Sequence, residues 1–169
     1  MEQTLCAALQ SKIDEQMERT DHLLELLGPH QLEYRLPLSG AWTISESLGH
    51  LLDCMAGFCA ALHAADPDGM KGLGELRGLP VNHRCGRAEA REGIAQYRHA
   101  IATGLGRLPD GDLYRQIPTV FVPEGESLLT LLLGNLEHLT NHKYQLFLTM
   151  KMAGVPLTSS DVYCFRGSK

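Results

Sequence analysis

Apolar residues recur at helical spacing in four long stretches of the chain, and the first stretch runs from about Glu2 to Leu27. Its apolar positions lie close to whole helical turns apart: Leu5, Leu9, Ile13, Met17, Leu23, Leu24 and Leu27. Such spacing is typical of an amphipathic helix. Gly28 and Pro29 follow, and this pair predicts that the helix ends with its glycine in the left-handed conformation.

A second helix is predicted from residue 43 to about residue 65. It opens on Thr43-Ile-Ser-Glu46, a capping-box pattern in which the threonine accepts from a helix amide and the glutamate reaches back to the cap. The apolar residues that follow alternate steps of four and three: Ile44, Leu48, Leu51, Met55, Phe58 and Leu62. A turn sequence at residues 66–69 ends the helix.

A long connection, residues 66–86, holds five glycines and two prolines, and we expect it to cross from one end of a bundle to another. Arg87 to about Leu105 predicts the third helix. Its inward face is Ile94, Tyr97, Ile101 and Leu105. Residues 113–122 favour β structure, but Pro118 limits them to a short or edge strand.

The fourth helix is predicted to begin near Glu126 and Ser127 and to end at Ala153, where Gly154-Val155-Pro156 closes it. Together the four helices predict an all-α four-helix bundle. It has a long connection between helices 2 and 3 and a short irregular or β-like segment before helix 4. A chain of 169 residues without an internal repeat predicts one domain over residues 1–169.

Charge and composition narrow the function classes. The chain has 15 Lys and Arg against 20 Asp and Glu, a net charge of −5, and no basic block, which argues against nucleic acid or an anionic membrane as a partner. Its apolar runs are far short of a membrane span. Five cysteines without a C-x-x-C pair, and a start without a signal-peptide pattern, predict a cytoplasmic protein with free, mostly buried thiols.

Two histidines of the fourth helix are the first candidates for chemistry. His138 and His142 are four residues apart, so both side chains project from nearly the same face of the helix. This is the spacing by which a helix offers two imidazoles to one metal ion. Two half-buried histidines that are hydrogen-bonded near a helix–helix contact are the alternative explanation.

The second helix adds a third histidine. Beside its apolar stripe lies a row of mostly small residues: Ser47, His50, Cys54, Gly57 and Ala61. Small residues leave space between helices, so we expect His50 to face a gap that another helix can supply with ligands. An unpaired buried polar group costs about 1–3 kcal/mol, and bundles build metal sites from such inward histidines on two helices.

Two motifs resemble a known family. The segment WTISESLGHL at residues 42–51, with a histidine eight residues after the tryptophan, is similar to the second-helix signature of the DinB-like (YfiT-like) four-helix superfamily. The segment HLTNHKYQ at residues 138–145 is similar to its fourth-helix motif, H-x-x-H-H-R-G-Q. The order of the helices, the long connection after the second helix and the end of the fourth helix extend the resemblance over most of the chain.

The resemblance implies a divalent metal ion, zinc or nickel, bound by His50, His138 and His142. Departures from the motif at positions 141, 143 and 144 leave these three ligands in place. Three imidazoles with water form an open site of the catalytic type, since structural zinc sites usually have four protein ligands.

The resemblance further implies a metal-dependent enzyme that acts on a small-molecule substrate. The reaction would be that of a transferase or isomerase that uses a low-molecular-weight thiol, or that of a hydrolase. A non-catalytic, stress-associated protein that binds a metal or a ligand is the main alternative. The third hypothesis is a structural protein in which the histidines only form hydrogen bonds with one another.

Four side chains are candidates for supporting the site or lining its pocket: Glu46, Cys54, Asn141 and Gln145. Glu46 could orient a histidine or only cap its helix, and Cys54 could add a fourth ligand or fill the core. Gln145 could line the pocket or hydrogen-bond between helices. Lys143 and Arg166 could bind an anionic substrate group, although a solvated charge is the ordinary explanation.

The fourth helix also predicts an assembly. Several of its apolar residues lie away from the side of the histidine pair: Leu129, Leu133, Leu136 and Phe147. A helix that is apolar all round is buried on all sides, by other elements or by a second subunit. Because the resemblance also implies pairing through helices, we expect a homodimer.

Overall fold

The computed structural model of the chain describes residues 4–72, 83–120 and 122–163. Its four main helices are α1 (Leu5–Glu25), α2 (Ile44–Ala65), α3 (Arg87–Leu105) and α4 (Leu128–Met152). Between α3 and α4, the strands β1 (Gln116–Ile117) and β2 (Glu126–Ser127) pair antiparallel, and a short helix α5 (Ser159–Tyr163) follows α4. The predicted four-helix bundle with a short β segment before its last long helix is confirmed.

Helix α2 is central to the bundle and packs mainly against α3 and α4. Its predicted inward residues are all at most 2 % exposed: Ile44, Leu48, Leu51, Met55, Phe58 and Leu62. This helix is also long and apolar enough to cross a membrane, with a mean hydropathy of 1.3, but 61 % of that window is buried inside the bundle. Its apolar character therefore belongs to the core of the fold.

The ends of the helices test the predicted caps. Thr43 Oγ1 accepts from the Glu46 amide at 3.1 Å, and the Glu46 carboxylate accepts from the Thr43 amide at 2.7 Å, so the capping box is confirmed. Gly154 has the predicted left-handed backbone, with φ of +84°. The same prediction for Gly28 is wrong, since its φ is −84°.

The reason lies in the last turn of α1, which tightens instead of turning left-handed. The amide of Leu26 donates to the carbonyl of Leu23 at 3.1 Å, and the amide of Leu27 donates to that of Leu24 at 3.2 Å. Bonds of this short-range type satisfy the carbonyls at a helix end. No residue with a positive φ is then required.

The connection between α2 and α3 returns to α2 at Cys85. The Cys85 amide donates to the carbonyl of Ser45 at 3.1 Å and to its Oγ at 3.1 Å, while this Oγ donates to the Cys85 carbonyl at 3.0 Å. Residues 73–82 of the predicted 66–86 connection lie outside the described residues, as do Cys164 and Arg166. The cysteines that are described are buried and free: Cys6, Cys54, Cys59 and Cys85.

The β prediction for residues 113–122 holds only in part. Asp110–Tyr114 is a short 3-10 helix. Among the described residues of this segment, regular pairing is confined to β1, where Gln116 lies opposite Ser127 and Ile117 opposite Glu126. Pro118 follows at once, and proline has no amide to continue a ladder.

Gly49 of α2 gives a mutational test of how closely the returning connection packs. A Cβ at this position would lie 1.7 Å from the carbonyl oxygen of His83, so Gly49→Ala should push the backbone away and destabilise the fold by about 1–3 kcal/mol. Gly134 of α4 is the matched control, because a Cβ there meets nothing within 4 Å. Gly134→Ala should stabilise by about 0.5–1 kcal/mol. Urea unfolding of both variants measures the change in the free energy of unfolding. A change of the same sign in both would contradict the close packing at Gly49.

Candidate metal centre

Three imidazoles from two helices meet near the surface of the bundle. His50 projects from α2, and His138 and His142 project from successive turns of α4. The Nε2 atom of His50 lies 3.3 Å from Nε2 of His138 and 3.1 Å from Nε2 of His142. The structure therefore brings together the three histidines that the sequence singles out.

The spacing of these nitrogens fits a metal ion. With Zn–N distances of about 2.0–2.1 Å, two nitrogens of a tetrahedral site lie about 3.3 Å apart. Both short contacts involve His50 Nε2, so in a hydrogen-bonded trio this atom would have to serve both neighbours with one N–H or with one lone pair. A cation instead accepts a lone pair from each ring. The group formed by His50, Cys54, His138 and His142 could therefore bind a metal.

A hydrogen bond sets the tautomer of His142. Its Nδ1 lies 2.9 Å from Oε1 of Gln145, one helical turn further along α4. Because a carbonyl oxygen only accepts, Nδ1 carries the proton and Nε2 presents its lone pair to the other two rings. Gln145 therefore supports the site from the side of α4.

Asp53 occupies the corresponding position beside His50 on α2. Its Oδ2 lies 3.8 Å from Nδ1 of His50, which is an electrostatic contact rather than a direct hydrogen bond. Asp53 lies outside both sequence motifs, at residues 42–51 and 138–145. Its spacing of three residues from His50, which places both side chains on one helix face, was the signal that could have found it.

Partial burial favours the neutral form of two of the three rings. It lowers the pKa of His138 and of His142 below the usual value, and the neighbouring His50 lowers both pKa values further. Neutral imidazole is the form that binds metal ions. At neutral pH the α4 pair is therefore ready to coordinate.

Cys54 lies one turn after His50 and is 2 % exposed. Its Sγ belongs to the same group, in which all ligand atoms lie within 4.8 Å of one another. Burial, followed by the negative charge of Asp53, raises the pKa of this thiol to about 12. The position agrees with a core residue, and it also brings the sulfur close enough to join the site.

Trp42 forms one wall of the site, a role that its place in the sequence motif did not predict. Its ring centroid lies 4.6 Å from that of His50 and 5.8 Å from that of His142, with the second pair stacked at 21°. The bridge between Arg35 and Thr43 positions the segment just before α2. Trp42 covers this side of the site, while His138 is exposed on another side.

Two other candidates have different roles. Glu46 binds its own helix cap, and hydrogen bonds from Thr43 lower the pKa of its carboxyl. Lys143 is 1 % exposed, its Nζ donates to Oε1 of Gln16 on α1 at 2.6 Å, and burial lowers its pKa to about 8. Its interpretation as a solvated charge is wrong, because this face of α4 packs against α1.

The remaining candidate, Asn141, is exposed on α4.

Comparison with known proteins agrees with this architecture. The model of the DinB superfamily matches residues 12–146, well over half of the chain. The chain belongs to the DinB superfamily. No curated protein matches the chain at a significant level.

Two solved DinB-like proteins share the fold of this superfamily member. The one from Bacillus cereus ATCC 10987 is 21 % identical, with a TM-score of 0.68 over 94 % of this chain and 99 % of its own. The one from Bacillus subtilis is 17 % identical, with a TM-score of 0.66 over 89 % of this chain and 96 % of its own. At these identities the likeness shows the fold alone.

Gln145 should matter for metal affinity and little for folding. Gln145→Leu removes the acceptor that holds the Nδ1 proton of His142, and loss of such a supporting contact typically lowers metal affinity about 10–100-fold. Zinc competition titration measures the change. Asn141→Leu, which removes an exposed amide from the same helix, is the control, and an equal loss in both variants would contradict the assigned role.

Proposed function

We propose that this DinB superfamily member is a metal-dependent enzyme in which His50, His138 and His142 bind one zinc or nickel ion. The observation that supports the proposal is the convergence of three Nε2 atoms from two helices, with separations of 3.1 and 3.3 Å from His50. Imidazole suits both metals. Three protein ligands leave a coordination position for water or substrate, as in catalytic sites.

A divalent ion in such a site can lower the pKa of a bound water or thiol and polarise a carbonyl. Three side chains around the histidines would orient the ligands and cover the site. Gln145 fixes the His142 tautomer, Asp53 adds negative charge beside His50, and Trp42 covers one side of the site.

The proposed substrate is a small molecule, with a low-molecular-weight thiol as one reactant of a transferase or isomerase, or water as the reactant of a hydrolase. The exposed side of the site at His138 gives such a molecule access. A thiolate is a strong ligand for zinc and nickel. We place the protein in the cytoplasm, where thiols stay reduced.

The test begins with protein purified without a histidine tag. Metal analysis and anomalous scattering should identify one ion at the three histidines, and turnover should appear in a panel of thiols with electrophiles or of hydrolysable esters and amides. Metal at the site without turnover in any assay would favour the non-catalytic binding protein. A site without metal after loading with zinc or nickel would leave only the structural alternative.

We also propose a homodimer, with a contact surface on α4 that does not include Phe147. Phe147 is buried within one subunit at 7 % exposure, whereas Leu133 and Leu148 are 48 % and 56 % exposed. We expect a second copy to cover these two side chains, because removing apolar surface from water is favourable. Sedimentation should give a dimer at micromolar concentration, and Leu133→Glu should weaken it. A wild-type monomer at high micromolar concentration would rule the dimer out.

A further inference from the structure

A second group of metal-ligating side chains lies where the connection from α2 enters α3. Its members are His83, Cys85 and Glu89, and their ligand atoms all lie within 4.8 Å of one another. Nε2 of His83 is 3.2 Å from Oε1 of Glu89. The group shares no residue with the histidine site. An imidazole, a thiol and a carboxylate are the three side-chain types that bind zinc.

The backbone beneath this group is held in place by α2. Cys85 exchanges three hydrogen bonds of 3.0–3.1 Å with Ser45, and the carbonyl of His83 packs against Gly49 so closely that no Cβ would fit. Two of the ligands are therefore held against α2 before any ion binds. Such preorganisation lowers the cost of forming a site.

The third ligand comes from the first turn of α3. Oε2 of Glu89 accepts from the Gly86 amide at 3.4 Å and completes the cap of the helix, which leaves Oε1 directed at His83. The positive end of a helix stabilises negative charge, and here it favours the carboxylate of Glu89.

The chemistry of the thiol selects the kind of ion. Cys85 is 1 % exposed, and its Sγ donates to the Gly86 carbonyl at 3.3 Å. An ion must displace this proton to bind the sulfur, which thiophilic ions such as zinc do and magnesium or calcium do not. A capping role alone would explain Glu89 but would not require a histidine and a cysteine beside it.

We propose that His83, Cys85 and Glu89 form a second binding site, specific for a thiophilic divalent cation such as zinc. The ion would tie the start of α3 to the segment that packs on α2. This site is independent of the proposed enzyme function, because none of its ligands belongs to the histidine site.

The test is a zinc titration of the tag-free full-length chain against a chromophoric chelator. The wild type should bind two equivalents, and Cys85→Ser and Glu89→Gln should each weaken one of them by about tenfold or more. Glu89→Gln retains an oxygen that can accept from the Gly86 amide, so the helix cap is preserved. Glu92→Gln, which removes a carboxylate one turn further along α3, is the matched control and should keep both equivalents.

His142→Ala separates the two sites. With cobalt in this variant, the remaining ion should show thiolate-to-metal charge-transfer absorption, and Cys85→Ser in the same chain should abolish it. One equivalent in the wild type and none in His142→Ala would overturn the second site and leave the histidine site standing. Two equivalents in His142→Ala, one of them lost with Cys85→Ser, would support the second site while the histidine site failed. A second equivalent that survives both Cys85→Ser and Glu89→Gln would overturn this proposal.

Discussion

Replacing His142 by alanine should remove one equivalent of bound metal from the tag-free protein. His142 Nε2 lies 3.1 Å from Nε2 of His50, and its Nδ1–H is held by Gln145, so a hydrogen bond orients this proposed ligand towards the site. Two imidazoles alone form a far weaker site, because metal affinity falls steeply when a ligand is removed. Metal analysis after gel filtration measures the loss.

The control is a histidine that lies apart from the site. His99 of α3 is exposed, so His99→Ala should keep the full metal content. Circular dichroism should show that both variants retain their helices, since His142 is only half-buried and the apolar core does not depend on it. Full metal occupancy in His142→Ala would show that the proposed ligand set is wrong.

Removal of the metal should leave the helices in place and lower Tm by about 5–10 °C. The apolar core of the four long helices is buried without any ion, unlike a zinc finger, whose folding free energy is mostly metal binding. A ligand that binds only the native state still adds about 2.7 kcal/mol at a hundredfold excess over Kd, and a chain of this size gains about 2–4 °C per kcal/mol. Thermal circular dichroism with and without chelator measures both quantities.

Acidification should act in the same direction as the chelator. The pKa values of His138 and His142 are lowered in the folded chain, chiefly by burial, whereas unfolded histidine titrates near pH 6.5, as a rough reference. Below this pH the unfolded chain takes up protons first, so the free energy of unfolding falls. Bound metal is released over the same range, because only neutral imidazole coordinates.

A Tm series from pH 8 to pH 5, as rough limits around the histidine range, therefore separates the two contributions. The metal-loaded protein should lose more stability than the chelated protein, and the two curves should meet at low pH. Wholesale loss of helix on chelation at neutral pH would mean that the site is structural. The proposal of an open, catalytic type of site would then fail.

The sequence by itself determined the helices and the three histidines that meet. Apolar spacing predicted α2 and α3 within about a residue at each end, because the buried face of an amphipathic helix consists of apolar residues at helical spacing in the local sequence. The cap at Thr43 and the pair of His138 and His142 were predictable for the same reason. Each depends on residues within two turns of one helix.

Tertiary structure alone decided what those residues touch. Lys143 was expected in water but packs against α1. Phe147 was expected to be buried by other elements or by a second subunit, and the chain itself buries it. Trp42 belongs to a sequence motif, but only the fold shows that it covers the site. The second metal-ligating group also depends on the return of His83 and Cys85 to α2. These features arise from packing between segments far apart in sequence. The spacing of apolar residues within one helix does not show which distant segment will pack on a given side chain.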